Sequence, residues 1–543
     1  MGSDSSNRVV LDRNSLSMHT FITGSTGSGK SNTIYELLDQ LNVVGIPFLI
    51  IEPAKGEYKH IFGHRNDVKV LGTNPIYSEL LRINPFRFPS SIHVLEHIDR
   101  LIEIFNVCWP MYAAMPAVLK EAVLQAYEMC GWNLTESKNE ISKDLLFPTF
   151  LDLQTELIKV INTSAYSEEL KSNYIGALVT RVKSLTNGLN GLIFSADEID
   201  NNILFDENVI VDLSRVGSLE TKSLIMGILV MRLSEHRSAN NEGMNQPLKH
   251  VTVIEEAHNI LKKSSNDQNT EGSNMTGKSV EMLANAIAEM RTYGEGFIIA
   301  DQSPSAVDMS AIRNTNTKII MRLPDEMDRR LAGKSAALRD EQLDEITKLP
   351  KGVAVVYQND WLEPVLCRIN KFEGEEIPYS YDNLNSMKKT DHGIFISELL
   401  KLLLIGRNLD KVEIDDTFLH NSLAMSSLST KNKIGIFYLL EEYRRTKKLA
   451  LWNVEHFDKL SELVTELLEC GTFVDNAVKN ASDFMVLTDW LREKVNSCTV
   501  GLTEETKLAI TQCLLKDLSK QDKGKLEIYA AWRAEVENRG IIK

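Results

Sequence analysis

The chain has 543 residues, more than one compact domain usually holds, so we expect two or three domains. Its 43% hydrophobic and 25% charged residues are typical of ordinary soluble globular protein. The net charge of −15 excludes a surface that is basic all over. It leaves nucleic-acid binding open, because a ring-shaped motor can keep its basic groups in a central channel.

Cysteine usage and apolar runs predict a cytoplasmic protein without a membrane segment. The six cysteines form no C-x-x-C pair and have no histidine partner at zinc-finger spacing, which favours reduced thiols. Met1–Asn7 lacks the basic-then-apolar pattern of a signal peptide. The longest apolar runs, such as Leu224–Leu233 and Leu399–Ile405, are too short to span a bilayer and are expected to be buried helices.

The first predicted elements form a βαβ unit. Thr20–Thr23 indicates a short strand that runs into a glycine-rich loop, and a helix is expected from Lys30 to about Leu41. The continuous apolar run Ile46–Ile51 suits a strand buried on both faces of a parallel sheet. Strand, helix and strand at this spacing are typical of a βαβ unit.

Helical patterns replace this alternation between about Ser90 and Gly188. Four helical stretches follow one another; the first has one apolar face from Val94 to Phe105, and the second lies between Pro116 and Gly131. We therefore expect a four-helix insertion within an α/β domain.

The α/β alternation then resumes and ends in a hairpin. The expected strands are Val209–Leu213, His250–Ile254, Gly296–Ala300, Lys318–Leu323, Gly352–Tyr357 and Val365–Ile369, and the expected helices are Leu219–His236 and Val280–Tyr293. Lys262–Gly277 is rich in small polar residues and predicts a mobile loop.

The end of the chain reads as a separate domain. After a linker at Asn370–His392, six or so amphipathic helices are expected, and no proline follows Pro378. The predicted fold class is α/β, with a four-helix insertion and an all-α C-terminal domain. The predicted boundaries are 1–88 and 206–378 for the α/β core, 89–205 for the helical insertion and 390–543 for the C-terminal domain.

The strongest chemical signal is the run G-S-T-G-S-G-K-S at Gly24–Ser31, a full match to the Walker A pattern. Its glycines let the backbone wrap around a β-phosphate at a helix N-terminus, while Lys30 reaches the β/γ oxygens and Ser31 offers a hydroxyl to Mg²⁺. The alternative is a chance glycine-rich turn. The predicted nucleotide contacts are Gly24, Ser25, Thr26, Gly27, Ser28, Gly29, Lys30, Ser31 and Asn32.

A pair of carboxylates, Glu255–Glu256, follows the predicted strand His250–Ile254. One such acid can hold Mg²⁺ through its water shell, and the other can orient and deprotonate the attacking water. Acids at strand ends are usually only solvated, but an upstream phosphate loop favours the Walker B interpretation. Together the two motifs predict binding and hydrolysis of a nucleoside triphosphate, ATP, with Mg²⁺.

Three further polar residues are candidates for the site. Gln302 follows the Gly296–Ala300 strand, where an amide could sense the γ-phosphate; a plain loop amide is the alternative. Phosphoryl transfer also gains from a cation over the developing charge, often from a neighbouring subunit. Arg291 and Arg322 are the candidates, although most arginines lie on surfaces or in salt bridges.

The order of these motifs resembles the HerA/FtsK group of P-loop ATPases, and HerA-like proteins in particular. The resemblance covers about Asn7 to Asn370. The matching segments are H-T-F-I-T-G-S-T-G-S-G-K-S (His19–Ser31), I-E-P-A-K-G-E-Y (Ile51–Tyr58), N-P-F (Asn84–Phe86), V-D-L-S (Val211–Ser214), I-E-E-A-H (Ile254–His258), M-R-T-Y-G-E-G-F (Met290–Phe297) and D-Q-S-P (Asp301–Pro304).

The resemblance implies a RecA-like core with a helical insertion, a hexameric ring with ATP at subunit interfaces, and DNA translocation through the pore. It also implies roles for single residues: Glu255 as the metal-side acid, Glu256 as the catalytic base, Gln302 as the sensor and Arg291 as a trans-acting arginine. HerA proteins more often carry Asp at the position of Glu255. The phosphate loop begins too early to leave room for the family's N-terminal β-barrel, so either this is a fragment or the barrel is not needed.

Three functions from different classes remain open at this stage. The first is a DNA-translocating motor that works with a nuclease or another effector, as HerA-like proteins do in end resection and phage defence. The second is a protein-moving ATPase like those of type IV secretion, which share the core. The third is a nucleotide-dependent scaffold whose C-terminal domain docks a partner. DNA-stimulated ATPase activity separates the first from the others.

Overall fold

The computed structural model describes residues 8–109, 111–112, 114–241, 243–263, 271–381, 387–406, 415–521 and 523–538. The chain divides into two compact units. The first consists of 1–127, 134–137 and 148–381, and the second of 128–133, 138–147 and 382–543.

Twelve strands are formed by the described residues. They are β1 Thr20–Thr23, β2 Phe48–Glu52, β3 Val68–Gly72, β4 Glu79–Leu80, β5 Trp132–Asn133, β6 Lys138–Asn139, β7 Asn208–Asp212, β8 His250–Glu255, β9 Glu295–Asp301, β10 Thr317–Ile320, β11 Val353–Gln358 and β12 Val365–Arg368.

The α-helices of the first unit lie mainly between these strands. They are α1 Lys30–Val43, α2 Tyr58–Phe62, α3 Val94–Cys108, α4 Met115–Met129, α5 Phe150–Thr163, α6 Glu168–Tyr174, α7 Thr180–Thr186, α8 Gly188–Ile193, α9 Asn201–Asp206, α10 Leu219–Ala239, α11 Glu271–Glu289, α12 Met309–Arg313, α13 Glu326–Ser335 and α14 Asp340–Leu343.

The first unit is built on a ten-stranded sheet with the strand order β12-β11-β10-β1-β9-β8-β2-β7-β3-β4. The eight strands from β10 to β4 are parallel, and β11 and β12 form an antiparallel edge. The central strands are buried along their whole length, as their continuous apolar runs predict for a sheet with both faces covered. The predicted mostly parallel α/β fold is confirmed.

A buried ionic cluster closes the amino end of β8 and β9. Glu295 is fully buried, and its carboxylate lies 2.9 Å from Nδ1 of His250 and accepts a 2.8 Å hydrogen bond from Nε of Arg237. Burial alone would raise the pKa of Glu295, but the two basic side chains outweigh it and lower the pKa to about 2. The cluster therefore holds α10 against the sheet at the edge opposite the strand ends described below.

The second unit is mainly helical. Beside the short hairpin β5–β6, its helices are α15 Met387–Leu403, α16 Asp416–Met425, α17 Thr430–Thr446, α18 Phe457–Leu467, α19 Gly471–Asn480, α20 Phe484–Cys498, α21 Glu504–Leu518 and α22 Lys523–Asn538. Its core includes the fully buried Trp532, whose indole N–H donates a 2.9 Å hydrogen bond to Oγ1 of Thr488. The predicted helical C-terminal region is confirmed, with eight described helices where about six were expected.

Several local predictions need correction. The loop predicted at Lys262–Gly277 is wrong for Glu271–Gly277, which form the first turns of α11; residues 264–270 lie outside the described residues. The insertion contains more than four helical segments, because α6 and α7 are joined through a π-helical turn and short helices follow. Strands β3 and β4 were not predicted, since Val68–Gly72 mixes Lys and Gly with its apolar residues.

Two predictions about composition can be compared with the structure. All six cysteines are free thiols, as expected. A helix long and apolar enough to cross a membrane is absent from the part of the chain that the structure describes. The predicted domain boundaries stay a prediction.

Candidate nucleotide-binding site

The glycine-rich loop connects β1 to the first turn of α1, and its geometry needs glycine at several positions. Gly27 and Gly29 have φ values of 75° and 111°, which side-chain-bearing residues rarely adopt. A Cβ atom on Gly24 would lie 2.5 Å from Oγ of Ser28 and 2.7 Å from Cβ of Met321. The loop is therefore a tight backbone concavity at the N-terminus of a helix, which is the arrangement that binds phosphate.

Lys30, the first residue of α1, carries a buried charge whose hydrogen-bonding capacity is unused. Its side chain is only 7% exposed, and Nζ has no hydrogen-bond partner among the described residues. It lies within ion-pair distance of two carboxylates, 3.6 Å from Oε2 of Glu255 and 3.9 Å from Oε1 of Glu256. Because three donors of a buried ammonium normally find acceptors, Lys30 fits an anion such as a phosphate oxygen.

Strand register brings the predicted acids to the phosphate loop. Thr23 at the end of β1 pairs with Asp301 of β9, and Glu255 at the end of β8 pairs with the neighbouring Ala300. The carboxyl ends of three adjacent parallel strands therefore meet at one edge, where open α/β sheets bind ligands. Strand β9 lies between the phosphate-loop strand and the acidic strand, which places Gln302 between the two motifs.

Gln302 joins the phosphate loop to Glu256 through both ends of its amide. Oγ1 of Thr26 donates to Oε1 of Gln302 at 2.7 Å, and Nε2 of Gln302 donates to Oε1 of Glu256 at 2.7 Å. Glu256 itself has left-handed backbone angles, φ 47° and ψ 54°, at the end of β8. Such strain in a non-glycine residue is concentrated at functional sites, where it directs a side chain.

His258, the last residue of the I-E-E-A-H motif, has no role predicted from the sequence and lies beside Glu256. Nδ1 of His258 is 2.9 Å from Oδ2 of Asp301 and 3.7 Å from Oε2 of Glu256. The hydrogen bond to Asp301 raises the pKa of His258, so its positive form is favoured there. These three side chains also lie close enough to one another to share a metal ion, but the hydrogen bonds of Asp301 with His258 and of Glu256 with Gln302 already account for their positions.

The turn after β2 supplies two more side chains to the site. Oγ of Ser31 donates to Oε1 of Glu57 at 2.5 Å, and the hydroxyl of Tyr58 donates to Oε1 of Glu255 at 2.6 Å. Burial raises the pKa of Glu255, while Lys30 and the Tyr58 hydroxyl act in the opposite direction. Sequence reasoning quoted this turn as part of a family motif without assigning it a role.

Acidic side chains continue along the same edge of the sheet. Glu52 at the end of β2 pairs in register with Asp212 at the end of β7, and burial raises the pKa of Glu52 to about 8. Burial would also raise the pKa of Asp212, but the ion pair with Nζ of Lys59 at 2.6 Å outweighs it and lowers the pKa. A nucleotide site on this edge would thus have several carboxylates on its β2–β8 side, and oxygen ligands of this kind suit Mg²⁺.

The remaining predicted site residues are placed differently from one another. Arg322 follows β10 on the same edge, and its carbonyl oxygen accepts a 2.9 Å hydrogen bond from N–H of Ser25. Arg291 is exposed and precedes β9, so it lies at the opposite edge of the sheet, roughly 20 Å away along the strand. The side-chain amide of Asn32 hydrogen-bonds to the carbonyl oxygen of Asn370 and the N–H of Phe372, and is engaged there.

The chain is similar to known helicases. The family model "Helicase HerA, central domain" matches residues 1–233. The DNA double-strand break repair helicase HerA of Sulfolobus acidocaldarius is 24% identical over 372 residues, covering 68% of each chain. The same-named protein of Sulfurisphaera tokodaii is 24% identical over 380 residues, covering 69% of each chain.

A structural likeness was found to VirB4 of Thermoanaerobacter pseudethanolicus, with a TM-score of 0.49 and 17% identity over 65% of this chain and 90% of that chain. The fold assignment rests instead on the strand order and the site geometry described above. Taken with the sequence matches, these features support a resemblance to HerA-like P-loop ATPases.

Proposed function

We propose that this chain is a DNA-translocating motor of the helicase type, driven by ATP hydrolysis with Mg²⁺ and working as a ring, with a hexamer as the expected size. The observation that carries the proposal is the meeting of Lys30, Glu255, Glu256 and Gln302 at the carboxyl edge of the sheet. The relatives named DNA double-strand break repair helicase support DNA as the polymer.

Each residue of the site has a distinct role in the proposed reaction. The backbone of the glycine loop and Lys30 would bind the phosphates, and Ser31 and Glu255 would hold Mg²⁺, which neutralises charge on the phosphate oxygens. Glu256 would accept the proton of the attacking water. Gln302, held between Thr26 and Glu256, would keep that carboxylate oriented and change partner when the γ-phosphate leaves.

An arginine from a neighbouring subunit would complete the site. Arg291 is exposed and lies at the sheet edge opposite its own phosphate loop, so it is available to another subunit and not to its own nucleotide. Arg322 lies on the edge of its own loop and is the alternative. Because a cation supplied in trans makes hydrolysis depend on the neighbour, this arrangement favours a ring in which subunits act in turn.

Contact with DNA and with a partner protein would come from elements outside the catalytic centre. Lys262 and Lys263 follow the acidic strand closely and are exposed, as is Lys278 on α11. Such lysines suit phosphate contacts that weaken with salt. The C-terminal unit would dock a nuclease or another effector. The resemblance to HerA-like proteins suggests that the motor and this partner would act in antiviral defence.

The decisive experiment measures ATP turnover with and without duplex DNA while mass photometry reports ring size. A DNA translocase is expected to hydrolyse ATP faster with DNA and to form a closed oligomer. Neutralising Lys262, Lys263 and Lys278 together should reduce the stimulation and flatten its salt dependence. The matched control neutralises three lysines of the helical insertion: Lys120, which is half-buried, and the exposed Lys159 and Lys183.

Three results would count against the proposal in different ways. Turnover that DNA does not change would favour a protein-moving ATPase or a scaffold. An unstimulated monomer would remove the argument for a trans arginine. If both triple lysine variants reduced the stimulation by DNA equally, DNA binding would depend on net charge and not on the lysines near the acidic strand.

A further inference from the structure

The turn between β2 and α2 borders the candidate nucleotide site and has a defined backbone conformation. Lys55 and Gly56 both have left-handed backbone angles, with φ of 61° and 69°. The carboxylate of Glu52 accepts hydrogen bonds from N–H of Glu57 at 2.7 Å and from N–H of Tyr58 at 3.3 Å. The Glu52 carboxylate therefore holds residues 57 and 58 in place through their backbone N–H groups.

The two side chains that the turn presents reach different residues of the Walker motifs. Glu57 accepts the Ser31 hydroxyl at 2.5 Å, and Tyr58 donates to Glu255 at 2.6 Å. Tyr58 is completely buried, and its ring packs edge-on against that of Tyr35 at 5.1 Å. The turn thus contacts both residues that are expected on the metal side of the site.

Helix α1 also places Tyr35 near the carboxylate of Glu57. Tyr35 follows Ser31 by four residues and so lies on the same face of the helix. Burial and the nearby carboxylate of Glu57 raise the pKa of the Tyr35 hydroxyl. Glu57 therefore lies near Tyr35 of α1, and its hydrogen bond with Ser31 brings its charge to the serine of the phosphate loop.

A ligand for this region is indicated independently by Lys30. Its ammonium group is buried, has no hydrogen-bond partner in the described parts of the chain and faces Glu255 from the loop side. The acidic residues thus border a place that already contains an unused donor for an anion. A cation held by the carboxylates would balance the charge of that anion.

We propose that Glu57 and Tyr58 are positioning residues for the metal side of the nucleotide site, Glu57 by holding Ser31 and adding negative charge, Tyr58 by orienting Glu255. This inference rests on the proposed ATPase function and deepens it. On this proposal the turn after β2 makes nucleotide binding depend on Mg²⁺, and Glu256 accepts the proton. Substitution of a residue that orients a direct metal ligand commonly lowers metal affinity about 10- to 100-fold.

The test compares affinity for a fluorescent ADP analogue in excess Mg²⁺ and in EDTA, using the full-length chain. The ratio of the two affinities measures the coupling to the metal. Glu57→Gln keeps an oxygen that can accept from Ser31 but removes the charge, so the ratio is expected to fall about tenfold while affinity in EDTA is kept or increased. Tyr58→Phe removes only the hydroxyl and should lower the ratio in the same direction.

Matched controls exist elsewhere in the first unit. Glu103→Gln alters a carboxylate that also accepts a serine hydroxyl, from Ser279 at 2.5 Å. Tyr127→Phe removes the hydroxyl of another buried tyrosine, which donates to the carbonyl oxygen of Phe86. Both controls are expected to leave the ratio at its parental value.

The outcomes separate this inference from the function on which it depends. A ratio unchanged in Glu57→Gln and Tyr58→Phe, or a loss that is equal in Mg²⁺ and in EDTA, would overturn the positioning role. Equal ratios in the variants and their controls would overturn it as well. A parent chain that does not bind the analogue would instead overturn the proposed nucleotide site, and this inference with it.

Discussion

Replacing Glu256 by glutamine tests the assignment of the catalytic base, because the change preserves the shape and length of the side chain. The amide oxygen can still accept from Nε2 of Gln302, which now lies 2.7 Å from Oε1. The left-handed backbone at this position is also retained. What is lost is a negative charge that can take a proton from water.

The structure allows the two consequences of that loss to be weighed. The attraction between Glu256 and Lys30 at 3.9 Å is worth about 4 kcal/mol at an effective dielectric constant of 20. Most of it is offset, since the variant no longer has to desolvate a carboxylate that is only 15% exposed. We therefore expect unfolding free energy to change by less than about 2 kcal/mol, while loss of a general base slows turnover by roughly 10²- to 10⁴-fold.

The assay combines three measurements on the same preparation: steady-state ATP turnover, affinity for ATP and urea unfolding. Glu256→Gln should bind ATP at least as tightly as the parent, since one negative charge near the phosphates is gone. Glu255→Gln is the comparison variant and should weaken the dependence on Mg²⁺. Near-parental turnover in Glu256→Gln, with a large loss in Glu255→Gln, would refute the assignment and exchange the two roles.

Four other changes have expected outcomes. Lys30→Ala should abolish tight ATP binding in equilibrium titration, because it removes the buried cation that has no hydrogen-bond partner among the described residues. Gly29→Ala should weaken ATP affinity in the same titration, since a φ of 111° strains any side-chain-bearing residue by about 1 to 3 kcal/mol. Arg291→Ala subunits mixed with Glu256→Gln subunits should regain turnover in verified mixed rings, and no recovery would favour Arg322. Glu295→Gln should lower the unfolding free energy by about 3 kcal/mol at pH 7. Because the pKa of Glu295 is lowered in the folded state, the charged carboxylate stabilises the fold fully above pH 4.5 and loses this effect as the pH falls towards 2. Urea titrations should therefore show the difference in unfolding free energy between parent and variant narrowing over that pH range.

The sequence predicted those parts of the site that local chemistry dictates. A run such as Gly24–Ser31 has a backbone requirement that only glycines meet, and the strand before it and the helix after it are equally visible in the residue pattern. Glu255–Glu256 could be placed because parallel strands end at a common edge. The strand order β1-β9-β8 then explains why Gln302 lies between the two motifs.

Contacts that depend on distant parts of the chain could not be obtained in this way. Ser31 and Glu57 are 26 residues apart, and Tyr58 and Glu255 are 197 residues apart. The helical start of α11 was missed because its first residues are polar and small, which locally favours a loop. The position of Arg291 also required the direction of β9, since its sequence alone does not say which sheet edge it occupies.

Charge balance connects the described site to the energetics of the proposed cycle. Burial raises the pKa values of Glu52 and Glu255, so the charged forms of these two carboxylates are disfavoured on the β2–β8 side. A nucleotide that arrived without a cation would bring further negative charge to an edge that is already acidic. With Mg²⁺, which Ser31 and Glu255 would hold, the nucleotide would bring a positive charge that offsets the carboxylates, and Lys30 would gain a hydrogen-bond acceptor. Hydrolysis and phosphate release would reverse this balance, and because Gln302 contacts both the phosphate loop and Glu256, the reversal would be transmitted directly to the end of β9.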